Sequence, residues 1–173
     1  MLIPFYIVEP ELAAAETRTI TLFAPRDGVP PGFYGLFEFY CPDPACDCLR
    51  LMINVVEKQN PDLVLAAISY AFDRDDEMPG PFLDPMNPQC EYAENLLRLV
   101  DEMTLGEPDY VARLERHYAM VKRAASDPKH PAYPRLQKTV SDNANPLPVP
   151  RPARKSQKPP KRKARPRRKR RRR

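Results

Sequence analysis

Over the first 72 residues apolar and polar positions alternate in short runs. Four of these runs are dense in β-branched and aromatic side chains: 18–24 (RTITLFA), 33–41 (FYGLFEFYC), 49–57 (LRLMINVVE) and 63–72 (LVLAAISYAF). Successive side chains of a strand point to opposite faces, and residues of these types pack well on a pleated surface, so the pattern predicts four β-strands. Turn-forming segments separate them: 27–32 (DGVPPG), the cysteine-bearing stretch 41–48, and Asn60 with Pro61. Connections this short suit an antiparallel meander, because a parallel pair needs a crossover of about a dozen residues or more. In the second run Leu36, Glu38 and Tyr40 fall on one face and Phe37, Phe39 and Cys41 on the other, and one face is buried more deeply.

After a proline-rich loop (78–88, MPGPFLDPMNP) the apolar period lengthens from two to about 3.6, which predicts two helices. The first takes Asn87 as N-cap and Pro88 at its first position, carries Tyr92, Leu96, Leu99, Val100 and Met103 on one stripe, and stops at Gly106. The second begins near Pro108 and aligns Tyr110, Leu114, His117 and Val121, with Val111 and Tyr118 beside them. Ten of the 23 prolines fall at or beyond Pro128, so the folded part is expected over 1–126. A proline-rich linker is expected over 127–150, extended at roughly 3 Å per residue where it is richest in proline, and a disordered tail over 151–173. The expected fold class is α+β: an antiparallel sheet of about four strands with a cysteine knuckle at one turn, covered by two C-terminal helices.

A chain of 173 residues supports one domain with a real core. Its formal net charge of +5 hides a segregation. Fifteen basic side chains, with no Asp or Glu, crowd the last 23 residues: Arg151, Arg154, Lys155, Lys158, Lys161, Arg162, Lys163, Arg165, Arg167, Arg168, Lys169, Arg170, Arg171, Arg172 and Arg173. The preceding 150 residues are left with 13 basic against 23 acidic side chains, a balance of −10. Such a segment is expected to hold DNA or RNA without sequence preference, since each phosphate neutralised releases condensed counterions. With about eight contacts the log–log slope against salt on duplex DNA is near −7. Arginine suits bidentate phosphate contact, and the absence of aromatic residues removes base stacking from the tail. The plainer readings are a solubility device or a strand folded back on the acidic domain. Anionic lipid is disfavoured for want of a hydrophobic wedge, and no run reaches the roughly 18 apolar residues of a membrane span. The N-terminus lacks the pattern of a signal peptide. The expected location is cytoplasmic, at the nucleoid where the tail engages DNA, or nuclear in a eukaryotic or viral host.

In a reducing compartment the four cysteines read as metal ligands or free thiols before disulfides. Cys41, Cys46 and Cys48 place three sulfurs within eight residues at a turn stiffened by Pro42 and Pro44, which suits zinc. The spacing C-x4-C-x-C is less diagnostic than paired C-x2-C motifs. Cys90 or His117 offers the fourth ligand, with Asp43, Asp47 or water behind them; a helical hairpin would bring Cys90 and His117 to one end. A histidine on an apolar stripe is more often hydrogen-bonded core than ligand, and a lone cysteine more often a small buried hydrophobe. The acidic run Asp73, Asp75, Asp76 and Glu77 follows a predicted strand and in principle holds Mg²⁺, but consecutive acids before Met78, Pro79 and Gly80 read first as a solvated turn. A Cys90–His117 nucleophilic pair lacks an orienting third group. No phosphate-binding loop, dinucleotide fingerprint or HExxH motif is present, so no catalytic residue is assigned.

At 38–41 (EFYC), 46–48 (CDC), 80–89 (GPFLDPMNPQ) and 114–118 (LERHY) the chain resembles an uncharacterised family of small bacterial proteins, over about residues 17–122. The resemblance implies that these segments belong to one fold of bacterial type; it implies no reaction, and the basic tail lies outside it. The reading that follows is a non-enzymatic, metal-stabilised module anchored to nucleic acid by its tail. Its rivals are a metal-dependent or thiol enzyme and a protein–protein adaptor.

Overall fold

The structure, a computed structural model, describes residues 2–73 and 75–144, with side chains as far as residue 141. Strand β1 (Ile3–Pro4) leads through a 3₁₀ turn (Phe5–Ile7) into helix α1 (Pro10–Glu16). Strands β2 (Arg18–Leu22), β3 (Gly32–Tyr40), β4 (Arg50–Glu57), β5 (Val64–Ala71) and β6 (Phe82–Leu83) follow. Helix α2 (Ala93–Val100) runs into a π-helical turn (Asp101–Leu105) and precedes α3 (Pro108–Ser126) and α4 (Tyr133–Ala144).

All pairings are antiparallel, as the short connections require. Strand β3 is the centre: β4 lies on one side of it, then β5 and β6, while β1 and β2 share its other side end to end. The four long strands coincide with the four expected runs to within about two residues at each end. Tyr34, Leu36 and Tyr40 of β3, Leu51, Ile53 and Val55 of β4, and Ala66 and Ile68 of β5 face inward. They share one core with Leu96, Leu99 and Val100 of α2 and Leu114 and Val121 of α3. Each such aliphatic side chain, fully buried, contributes roughly 1.5–3 kcal/mol. The more deeply buried face of β3 is the one that carries Glu38.

Three differences from the sequence reading have physical causes. Helix α2 begins at Ala93, not beside Asn87. The residues before it extend the edge of β5: Gln89 closes the backbone N–H and C=O of Ala67 with its side-chain amide, at 2.9 and 3.3 Å, and the Cys90 N–H donates to Leu65 O at 2.8 Å. Folding also continues beyond residue 126. Leu136 of α4 is fully buried, and Gln137 donates to Ala125 O at 2.9 Å. Pro128 and Pro131 lie in the connection and Pro134 in the first turn of α4, where a missing N–H costs nothing, so counting prolines places the boundary too early. The N-terminal strand and α1 were not anticipated; Pro10 starts that helix and Ala13 buries its face.

Candidate functional site

Strand β3 ends at Tyr40 and β4 resumes at Arg50, and the loop between them gathers Cys41, Cys46 and Cys48 so that their sulfurs all lie within 4.8 Å of one another. Local chemistry shapes this loop. The Asp43 carboxylate accepts the Ala45 N–H at 2.9 Å, the Cys46 N–H donates to Asp43 O at 3.2 Å, and the Arg50 N–H donates to Cys48 O at 2.7 Å on re-entering the sheet. Helix α3 braces the turn from below. Lys122 Nζ donates to the carbonyls of Asp43 and Cys46 at 2.6 and 2.9 Å and sits 5.2 Å from the centre of the Tyr118 ring.

The three thiols are electrostatically unequal. Hydrogen bonds from the Cys48 thiol and backbone N–H hold Cys46 below the usual thiol range, with a smaller contribution from the Lys122 charge. Burial, then competition with Cys46 and Cys41, pushes Cys48 up to about 12. Tyr118, desolvated and facing the sulfurs, is likewise raised to about 12. Sulfurs about 2.3 Å from a tetrahedral zinc stand roughly 3.8 Å apart, so the trio needs to contract by less than about 1 Å to hold such an ion. Three sulfur donors on one side of a partly exposed loop fit a soft or borderline cation.

No fourth His, Cys, Asp or Glu joins the trio within that distance among the described residues. Both expected fourth ligands are elsewhere. Cys90 lies before α2, beside Tyr34 and Tyr92. Tyr34 pairs with Glu57, whereas Tyr40, which leads into the cysteine loop, pairs with Leu51; the two ends of the sheet are six residues, or roughly 20 Å, apart. His117 is buried in the core with both nitrogens engaged: Nδ1 stands 2.6 Å from Glu38 Oε2 and Nε2 2.9 Å from Glu16 Oε2. Phe5 stacks on its ring at 3.9 Å, and the Tyr40 hydroxyl donates to Glu38 Oε2 at 2.8 Å. Each ring nitrogen thus has a carboxylate oxygen within hydrogen-bond distance, which accounts for every polar atom of the imidazole. The Cys90–His117 pairing therefore does not form.

The acidic turn after β5 is a structural clamp. Asp76 accepts from Arg50 at 2.7 Å and from the Met78 N–H at 2.9 Å, and the Asp73 carboxylate accepts the Asp75 N–H at 2.9 Å. The Met78 N–H and the Arg50 guanidinium hold the Asp76 carboxyl below the usual carboxylate range. Asp73 also borders a cavity of about 370 Å³ with Leu49, Phe72, Glu115 and Tyr118.

Glu38, Glu16 and Lys122 are the residues that sequence reasoning missed. Glu38 left a signal: it shares strand parity with Leu36 and Tyr40, and an acid on a core face needs a partner. His117 on an apolar stripe is the matching half. The basic residues Arg151 to Arg173 lie outside the described residues. Among the described residues no helix is long and apolar enough to cross a membrane. Compared with family models, curated proteins and solved structures, the chain matches none.

Proposed function

We propose that this chain is a non-enzymatic binding module whose cysteine loop holds a zinc ion and whose basic tail anchors it to nucleic acid. The convergence of Cys41, Cys46 and Cys48 within 4.8 Å, on a loop fastened to α3 by Lys122, supports the metal site. Zinc suits three thiolates, and the fourth position then belongs to water or to an incoming donor. The tail supplies non-specific attraction for DNA or RNA, because fifteen positive charges stand within 23 residues. The first 150 residues, with a balance of −10, add no net long-range attraction of their own.

Elemental analysis tests the metal. Purified protein is expected to carry zinc close to one per chain, and the triple variant Cys41→Ser, Cys46→Ser, Cys48→Ser to carry none; equal metal in both overturns the site. Filter binding against salt tests the tail. Deletion of 151–173 is expected to flatten a steep slope, and affinity that survives deletion with the slope unchanged overturns the anchor.

A further inference from the structure

One face of the sheet packs against the helices; the opposite face is open across β2, β3 and β4 as a groove of about 410 Å³. Register and strand parity place Thr19 opposite Gly35 and bring Phe33, Gly35 and Phe37 onto this face in one row. Phe33 is 46% exposed, unusual for a phenylalanine within a strand. Lys58 stands over its ring, 5.6 Å from the centroid. Gly35, with no side chain of its own, lets the Phe37 ring lean back over it: a Cβ there would meet Phe37 Cε2 at 3.1 Å. The face is also poor in acid, although the first 150 residues carry a balance of −10. No Asp or Glu occupies an outward position of β2, β3 or β4, and Glu57 at one end of the groove is offset by Lys58.

We infer that this open face is a stacking platform for a single strand of nucleic acid, with Phe33 and Phe37 as partners for bases and Lys58 beside them for the backbone. The inference rests on the proposed anchoring of nucleic acid by the tail, and it supplies what that tail lacks, an aromatic surface. Phe33 and Phe37 are four residues apart on one strand, roughly 13 Å from Cα to Cα, and the Phe37 ring leans toward Phe33 over Gly35. Bases in a duplex are stacked on one another about 3.4 Å apart and present no free face to such rings, so stacking on Phe33 and Phe37 selects unstacked bases. Stacking is nearly independent of base identity and, unlike phosphate contact, only weakly sensitive to salt.

The test uses the full chain and a dye-labelled oligonucleotide, as a single strand and as its duplex, titrated at several salt concentrations. Phe33→Ala and Phe37→Ala are each expected to weaken single-strand binding roughly five- to a hundred-fold. Duplex affinity and the salt slope stay as in the parent. Phe33→Tyr keeps a stacking ring and is expected to bind as the parent does, which separates lost stacking from lost folding; circular dichroism of each variant checks the latter. Unchanged single-strand affinity in both alanine variants overturns the platform, as does equal loss on single strand and duplex. Sedimentation that shows a parent dimer dissolved by Phe33→Ala also overturns it, and makes the face an interface between copies. A steep salt slope with silent alanine variants leaves the tail anchor standing while the platform falls. A flat slope with sensitive variants does the reverse.

Discussion

A histidine between two carboxylates has little freedom. Each ring nitrogen of His117 faces an acid, and Phe5 closes one side of the ring. Removing the imidazole leaves a cavity and takes from the buried Glu38 one of its partners, with the Tyr40 hydroxyl still in place, so His117→Ala is expected to cost about 2–5 kcal/mol. Urea denaturation measures it, and Glu16→Gln is expected to cost clearly less because Glu16 keeps contact with solvent. The cysteines differ in another way. With its pKa lowered, Cys46 holds more thiolate at neutral pH than a free cysteine, whereas Cys48, raised to about 12, stays protonated until strongly alkaline pH. In metal-free protein, timed alkylation at neutral pH followed by peptide mapping is expected to label Cys46 well before Cys48, and zinc to protect all three. At this scale the cysteine trio was legible because its three members sit within eight residues. The Glu38–His117 pair was not, since its halves are 79 residues apart and only the folded chain shows that they meet.

Elements were legible where one force dominated. Alternation with β-branched and aromatic residues marked β2 to β5, and the apolar stripe from Tyr110 to Val121 marked α3, because each had one face to bury. The start of α2 was misplaced because Asn87 and Pro88 carry helix-start chemistry while Gln89 and Cys90 close the open backbone of β5. Helix α4 was missed because it offers one deep anchor, Leu136, among prolines and polar residues. That anchor makes it testable: Leu136→Ala is expected to cost about 2–5 kcal/mol, read from the denaturation midpoint. A second element-level prediction concerns the turn into β6. Gly80 has a φ of +75°, and a Cβ there would lie 2.7 Å from Ser69 O. Gly80→Ala is expected to destabilise by about 1–3 kcal/mol through backbone strain, by the same measurement.

For the whole molecule, the core is complete without the cysteine loop. The apolar cluster of sheet and helices is continuous without the loop at 41–49. A chelator is therefore expected to remove the proposed zinc, free the three thiols and lower the melting temperature by only a few degrees, with far-UV circular dichroism unchanged. Collapse of the cooperative transition on chelation would instead make the ion part of the folding nucleus, as in zinc fingers. The sheet's borders carry a last consequence. One flank of β3 is occupied along its length by two short segments in tandem, and β5 is closed first by β6 and then by the Gln89 amide standing in for backbone. A wandering strand from a neighbour finds little ladder to extend. Contacts that recruit the sheet are thereby steered away from its hydrogen-bonding margins and toward its broad aromatic side.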